Sequence, residues 1–524
     1  MGLHAALREK GKGNKNSVKN RMTFGRSMEM CAGGEDPRPS RHEAIGERVR
    51  ALALESGARP ADHGFGFMFP ALCGPAHRLA PEPRTLKDLA RLASVMAEPQ
   101  DTLQDSPPPP RVRSAGDGDL PAAYTYLVEF LRNDLIWERR TPDEAGLGPD
   151  ALAPLSSLAG LLNRRSGGLD LDSVYDAPRD PQAVRRMLVG TLSPRPKDCP
   201  HGRPPRTGPG NDLPRHPRSP EPGRDRAPRM SDARNDEQLI LSQLHVAFLK
   251  AHNALIASGL SFEAARRALR RRFQWMVLFD LLPKLVAPDV LENVMEDGPR
   301  LWRVERPAAL FMPVELSAAA LVLAPSMRRP SYDYNVHFRN VEHGALATRN
   351  VLAGGRHGPE TLPEHHVISW GGFLPLAAEA PQRARRLDTL ICGAPESVEA
   401  LATRHLLRGF RLGLPTGQAL ARHMGLKPLK DDTLLAALPD HQRVAALPFC
   451  EATPLWFYIL AEAGDPEGPA GRHLGPVGSR IVAEALWTLA RHSDASILAP
   501  GTLPDFARFS LGDLILLAAE EDRL

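Results

Sequence analysis

The sequence predicts a large, mainly α-helical single domain with long connections, and three observations carry that expectation. At 524 residues, 42% of them hydrophobic and 24% charged, the chain can bury an extensive core and has a globular composition. Apolar residues recur at helical spacing in segment after segment, while strand-like alternation is scarce. No repeat period appears that would point to an array or solenoid.

Residues 1–60 are polar, with one helix expected over 43–56. The first 30 residues hold seven Lys/Arg against two Glu, in a chain whose net charge is only +4. Such a basic leader can contact anionic partners, nucleic acid or lipid. The plainer reading is a solvated leader, or a chain start nearer Met22, Met28 or Met30. It has no apolar signal-peptide core, and no uninterrupted apolar run reaches the ~20 residues of a bilayer span. The expected compartment is therefore cytoplasmic. Cys31, Cys73, Cys199, Cys392 and Cys450 are scattered, with no CxxC pair, and form neither a disulfide framework nor a zinc site.

A main domain is expected over 61–520, interrupted at 194–228 by an insert with 11 prolines in 35 residues and many arginines. That composition buries too little surface to offset ordering entropy, so a long loop or disordered segment is expected there. It can also serve as a docking site for aromatic grooves. Residues 237–257 read as a helix apolar on nearly all sides, with Asp236 placed to cap it. Further helices fit 264–282, 315–323, 397–412, 417–423, 453–463 and 477–492. The runs at 275–279 and 316–323 are too short for a membrane and read as core helix. Phosphate loops, GxGxxG, HExxH and GxSxG are all missing. His245 and His252, seven apart on one apolar helix, read as hydrogen-bonded core histidines rather than metal ligands.

One stretch is more specific. Asp232-Ala-Arg-Asn-Asp-Glu237, running on through QLILSQLHVAFLKAHN, resembles the distal-arginine helix of animal-type haem peroxidases, the superfamily of cyclooxygenase and myeloperoxidase. Four other blocks resemble parts of that family in its order. YTYLVEFLRNDLIWE (124–138) is similar to the distal-histidine helix and LDLDSVY (169–175) to the calcium loop. Residues 313–335 are similar to the proximal helix and 401–425 to the helix packed behind it. The C-terminal helices over 453–489 fit as well. The similarity covers about 65–516 and is greatest to bacterial members, a family tied to oxidative-stress responses. It implies the helical haem-peroxidase fold, a haem b cofactor and a structural Ca²⁺.

The chemistry implied by the resemblance needs a proximal imidazole on iron, a distal base that moves a proton between the peroxide oxygens, and an arginine that stabilises the developing charge. Asn133 stands at the distal-histidine position, and an amide cannot take and return a proton near neutral pH. Losing such a group typically costs about 10²–10⁴ in rate. Arg132 replaces the aspartate that can esterify the haem edge, and Glu129 replaces a glutamine. Three apart on a helix with the acid first, Glu129 and Arg132 are expected to pair; the alternative is Arg132 on a haem propionate.

Pro325 stands where the family has its iron ligand, and it offers no ligand atom. It also costs a helix about 3 kcal/mol unless the backbone bends there. Val322 replaces an arginine that would face a propionate. His405, where the family has an asparagine, either fills core space or approaches iron itself. Arg234 matches the distal arginine and Glu237 the second haem-edge carboxylate; both also fit a buried structural ion pair. Asp134, Ser166, Asp170 and Asp172, with the Gly168 carbonyl, match the calcium ligands, all hard oxygen donors. Asp170 and Asp172 are expected to point the same way on an extended segment; a solvated acidic turn is the plain alternative. The function expected is a pseudoperoxidase with a binding or scaffold role. The alternative is an active haem-dependent peroxidase or oxygenase with a non-standard ligand such as His405. The sequence names no substrate and no partner.

Overall fold

The longest helix is apolar and buried along nearly its whole length. Leu239–Ala257 buries every residue from Leu239 to Leu255, because a helix with no polar face has no side to offer to water. Its length and mean hydropathy of 1.2 would suit a membrane span, yet 94% of that stretch is covered by the rest of the fold.

The computed structural model describes residues 63–98, 116–140, 158, 161–176, 186–195, 210–221, 223–305, 310–353, 358–499 and 508–522. The chain divides into Met1–Ala61 with Met295–Gly298, and Asp62–Val294 with Pro299–Leu524. The second of these units holds every candidate site residue. The expected leader, its helix at 43–56, and residues 196–209 and 222 of the insert lie outside the described residues.

In chain order the helices that build the site are α1 (Pro83–Ser94), α2 (Ala123–Leu135), α3 (Asp172–Tyr175), α4 (Leu239–Ala257), α5 (Phe262–Trp275), α6 (Ala324–Met327), α7 (Pro395–Arg411), α8 (Gly417–His423), α9 (Leu455–Gly464), α10 (Pro476–Arg491) and α11 (Leu511–Glu521). Helix α11 runs along α4, α2 also packs on α4, and α1 lies along α7. Phe130 of α2 stacks on Phe248 of α4 at 4.5 Å between ring centroids, and Phe273 of α5 meets it edge-on at 6.2 Å. Ser261, Thr416 and Ser510 cap α5, α8 and α11 by accepting a backbone N–H three residues on.

Strands are short. β1 (His63–Gly66) pairs antiparallel with β4 (Leu161–Asn163) and parallel with β7 (Met312–Pro313), and β3 (Glu138–Arg140) completes a four-stranded sheet. β2 (Asp117–Pro121) pairs with β10 (Arg383–Arg385), β5 (Gly190–Thr191) with β6 (Gly210–Asp212), and β8 (Ser331–Tyr332) with β9 (Val341–Glu342). The sequence signal was weak because two- to five-residue strands hold too few alternations to register.

Two expectations are corrected. Asp236 does not cap α4: the N-cap is Gln238, without a side-chain bond, and Asp236 instead takes two hydrogen bonds from Arg215. That arginine pins the described part of the 194–228 insert, which is loop apart from β6. Arg215 is locked between Asp212 and Asp236 at 2.8 Å each, its side chain 2% exposed, and its backbone bridges Pro228. The second concerns the helix over 315–323. It forms a π turn at Leu316–Ala320, breaks, and restarts as α6 with Pro325 in its first turn. There a missing N–H costs nothing, so the break removes the penalty expected for proline.

Candidate functional site

The C-terminal turn of α2 carries the residues that the resemblance singled out. Asn133 is buried, and its amide donates to Asn235 Oδ1 at 2.9 Å. Asn235 in turn donates to Nδ1 of His245 at 3.2 Å. Burial holds the His245 imidazole down to about 3, so it is neutral and serves as an acceptor. The Asn133 side chain is thereby committed within the protein. His252, the second histidine of α4, shares a hydrogen bond with Tyr175 OH through Nδ1 at 2.9 Å, as expected of a core histidine.

Arg234 is equally committed. It donates to Asp232 Oδ1 at 2.9 Å, to the Asn133 carbonyl at 3.0 Å and to the Ile136 carbonyl at 2.7 Å. Asp232 is fully buried and also receives Arg165, itself 2% exposed. Burial alone would raise the Asp232 carboxyl, but the bond and charge of Arg234 and the charge of Arg165 hold it below the usual range. The guanidinium groups of Arg165 and Arg234 lie 4.9 and 5.6 Å from the Trp137 ring centroid. Two arginines thus close the Asn133 carbonyl in the last turn of α2, which no helical N–H reaches. Arg234 and Glu237 do not form a buried ion pair, one of the two readings open for them. Glu237 is exposed and lines a polar cavity of about 590 Å³ with Arg226 and Arg349.

Nor do Glu129 and Arg132 pair within α2. Glu129 accepts from Arg328 at 2.7 Å, just beyond α6, and Glu138 pairs with Arg408 of α7. These two ion pairs tie the α2 segment to the segments that the resemblance identifies as proximal. Arg132 has no carboxylate partner among the described residues. Burial, with the like charges of Arg408 and Arg234, brings its guanidinium down to about 10. His405 lies among the same charges. Burial first, then Arg132, Arg408, Arg404 and Arg328, hold its imidazole well below the usual range.

On the proximal side Pro325 is buried in α6, and the break before it frees the Val322 carbonyl, which accepts Trp456 Nε1 at 2.8 Å. Trp456 in turn packs against His405 at 5.0 Å between centroids. The cavity that His405 and Trp456 line has a volume of about 10 Å³, room for about one water and far below the ~300 Å³ and upward of a cofactor site. His405 thus packs on Trp456 behind the broken helix.

The acidic cluster is assembled in part. Asp134, Asp170 and Asp172 are all buried. Asp134 Oδ1 accepts Ser173 N at 2.8 Å and Ser173 Oγ at 2.6 Å; Asp170 Oδ2 accepts Ser166 Oγ at 3.1 Å. Asp134 Oδ2 and Asp172 Oδ1 are left without a hydrogen-bond partner. Burial, then the Asp172 charge, raises Asp134 to about 7; burial also raises Asp170 to about 7, against the pull of Arg270. Gly168 is required for close approach, since a Cβ there would stand 2.5 Å from Asp170 Oδ2. The segment is not extended, as was expected. Leu171 is left-handed (φ 54°) and α3 begins at Asp172, so the two aspartates do not share a strand face. Among the described residues no three His, Cys, Asp or Glu side chains converge as a ready metal site.

Sequence reasoning missed the residues that hold this region together: Arg328, Arg408, Glu138, Asp232, Arg165 and Trp137. One signal was available for Arg328. A glutamate at a buried helical position needs a cation, and Arg328-Arg329 follows the proximal block directly.

No protein-family profile matches the chain, and no curated protein matches it. Solved structures do. Peroxidase A from Dictyostelium discoideum matches over 83% of this chain and 89% of its own, with a TM-score of 0.52 at 14% identity. A fatty acid alpha-dioxygenase from Arabidopsis thaliana matches over 84% and 76%, with a TM-score of 0.46 at 12% identity. The first carries the argument, and at such identity what it shows is the fold. The chain has the mainly α fold of animal-type haem peroxidases.

Proposed function

We propose that this chain is a peroxidase-fold protein that does not carry out standard peroxidase catalysis and works by binding. The observation that carries this reading is the backbone break at α6, with Pro325 seated in the first turn where the resemblance requires an iron ligand. Proline brings no ligand atom, and iron without a proximal donor lacks the electron push that cleaves peroxide. Asn133 cannot shuttle a proton, and Arg234 spends its donors on Asp232 and two carbonyls. The residues present therefore do not fit a catalytic haem. Purified protein expressed with haem supply is expected to show no peroxide-dependent oxidation of a phenolic donor above that of free hemin. Turnover well above free hemin, lost in Arg234→Leu, would overturn the reading.

The same reading keeps a structural role for Ca²⁺ at Asp134 and Asp172, supported by their two unpartnered, buried oxygens. Asp134 titrates at about 7 in the fold and near ~3.9 in an unfolded chain, so its ionisation destabilises the fold progressively as pH rises through that window. A divalent cation would offset that repulsion. Ca²⁺ is expected to raise the melting temperature more above about pH 7 than below about pH 5, and not at all in Asp134→Asn. An increase independent of pH, or retained in the variant, would show that the cation acts elsewhere.

A further inference from the structure

Three histidines gather around one phenylalanine where two loops meet. The turn after β8 carries His337 and Phe338, and the single 3₁₀ turn Glu364–His366 carries His365 and His366. Between centroids, the Phe338 ring lies 4.5 Å from His366 and 5.6 Å from His365. His365 stands 4.2 Å from His366 and 6.1 Å from His337. His365 is buried, while His337, Phe338 and His366 are half-buried, so protons reach the cluster from solvent.

Few bonds hold the two loops together. Asn335 Nδ2 donates to the carbonyls of His365 and Val367 at 2.9 and 2.8 Å, and its Oδ1 accepts the amides of His337 and Phe338. On the other side the Ser193 carbonyl, just before the insert, accepts the Glu364 amide at 2.9 Å. Residues 361–367 thus lie between the 335–338 turn and the start of the insert, held by these bonds and by ring packing.

Acid works against that contact. Burial first, then the neighbouring imidazoles, hold His366 down to about 3, and burial with the His337 charge lowers His365. Nδ1 of His365 and of His366 is buried without a hydrogen-bond partner. An imidazolium carries a proton on both nitrogens, so each charged ring would place an N–H there with no acceptor. Among the described residues, the other charged groups that face the rings are Glu364 on the same turn and Arg195. The arginine stands 3.8 Å from Glu364 and offsets its pull.

We propose that the 335–338 turn and residues 361–367 form an acid-released latch, closed while its three clustered imidazoles are neutral and pushed open when they take up protons. The closed state binds fewer protons than the open one, so closure is complete above about pH 6.5 and is lost as pH falls below it. At pH 5, a ring held to about 3 when closed and ordinary when open shifts the balance toward opening by about thirtyfold.

Hydrogen exchange of the full chain, read by mass spectrometry at pH 7.5 and pH 5 and corrected for the intrinsic rate, tests the latch. Protection over 361–367 is expected to fall at least about tenfold in acid while α4 keeps its own. The comparison with α4 separates local release from a global loss of stability, because the buried and neutral His245 of that helix would register the latter. His365→Phe with His366→Phe keeps the ring packing and removes two of the protons, so the fall should shrink to about threefold or less. Asn335→Ala should release 361–367 at pH 7.5 already, and it decides the matter if the double variant fails to fold. Equal protection of 361–367 at both pH values, an equal fall in α4, an undiminished fall in the double variant or full protection in Asn335→Ala would overturn the proposal.

Discussion

Asp232→Ala is expected to destabilise the protein by about 3–5 kcal/mol, the cost of leaving a buried charge without its partner. Asp232 is fully buried between Arg165 and Arg234, and its Oδ1 also accepts the Arg234 backbone N–H at 3.1 Å. Its removal leaves Arg165, 2% exposed, with the Asn133 carbonyl, the Trp137 face and the more distant charge of Asp134. The two guanidinium groups would then repel each other beside the end of α2. Urea unfolding should show the midpoint falling with little change in slope. Asp232→Asn, which keeps the acceptor but loses the charge, should fall between the variant and the parent. A loss below about 1 kcal/mol for the alanine variant would mean that the network is solvated and that Arg234 is not committed to it.

Phe130→Ala should cost a comparable amount, about 3–5 kcal/mol, for a different reason. Phe130 is 0% exposed and joins three elements: it stacks on Phe248 of α4, meets Phe273 of α5 edge-on and lies 5.9 Å from the His245 ring. Truncation leaves a void lined by the rings of Phe248, Phe273 and His245 that cannot collapse without moving α4, itself buried from Leu239 to Leu255. Phe130→Leu should recover more than half of the loss. An alanine variant within about 1 kcal/mol of the parent would show that α2 is not anchored through this residue.

Helices with a long apolar repeat were legible in the sequence nearly to the residue: 417–423 coincides with α8, and 397–412, 453–463 and 477–492 lie within two residues of α7, α9 and α10. The stretch over 264–282 is helical throughout but changes from α (Phe262–Trp275) to π (Met276–Leu281), which periodicity cannot resolve. Helix α11 went unread although Ser510 and Asp513 form a capping box ahead of LILLAAEE, a start signal present in the sequence.

At the site, residue identity told what had been lost. Asn133 and Pro325 lack the atoms that the chemistry needs, and no folding changes that. What replaced the lost groups was not legible, because ion pairs choose partners in space. Glu129 had a cation three residues away on its own helix and took Arg328, 199 residues on. Asp236 looked like a helix cap and became one of two anions on Arg215. An i,i+3 pair on an exposed helix face gains only about 0.2–0.5 kcal/mol, so a partner that also desolvates and ties two segments together can outcompete it.

The most direct test of the central claim is the absorbance of the purified chain titrated with hemin. With Pro325 in place of a ligand and His405 enclosed against Trp456, no saturable Soret band of histidine-ligated form is expected, and His405→Ala should leave the spectrum unchanged. A stoichiometric histidine-ligated band that disappears in His405→Ala would contradict the account and make His405 the iron ligand.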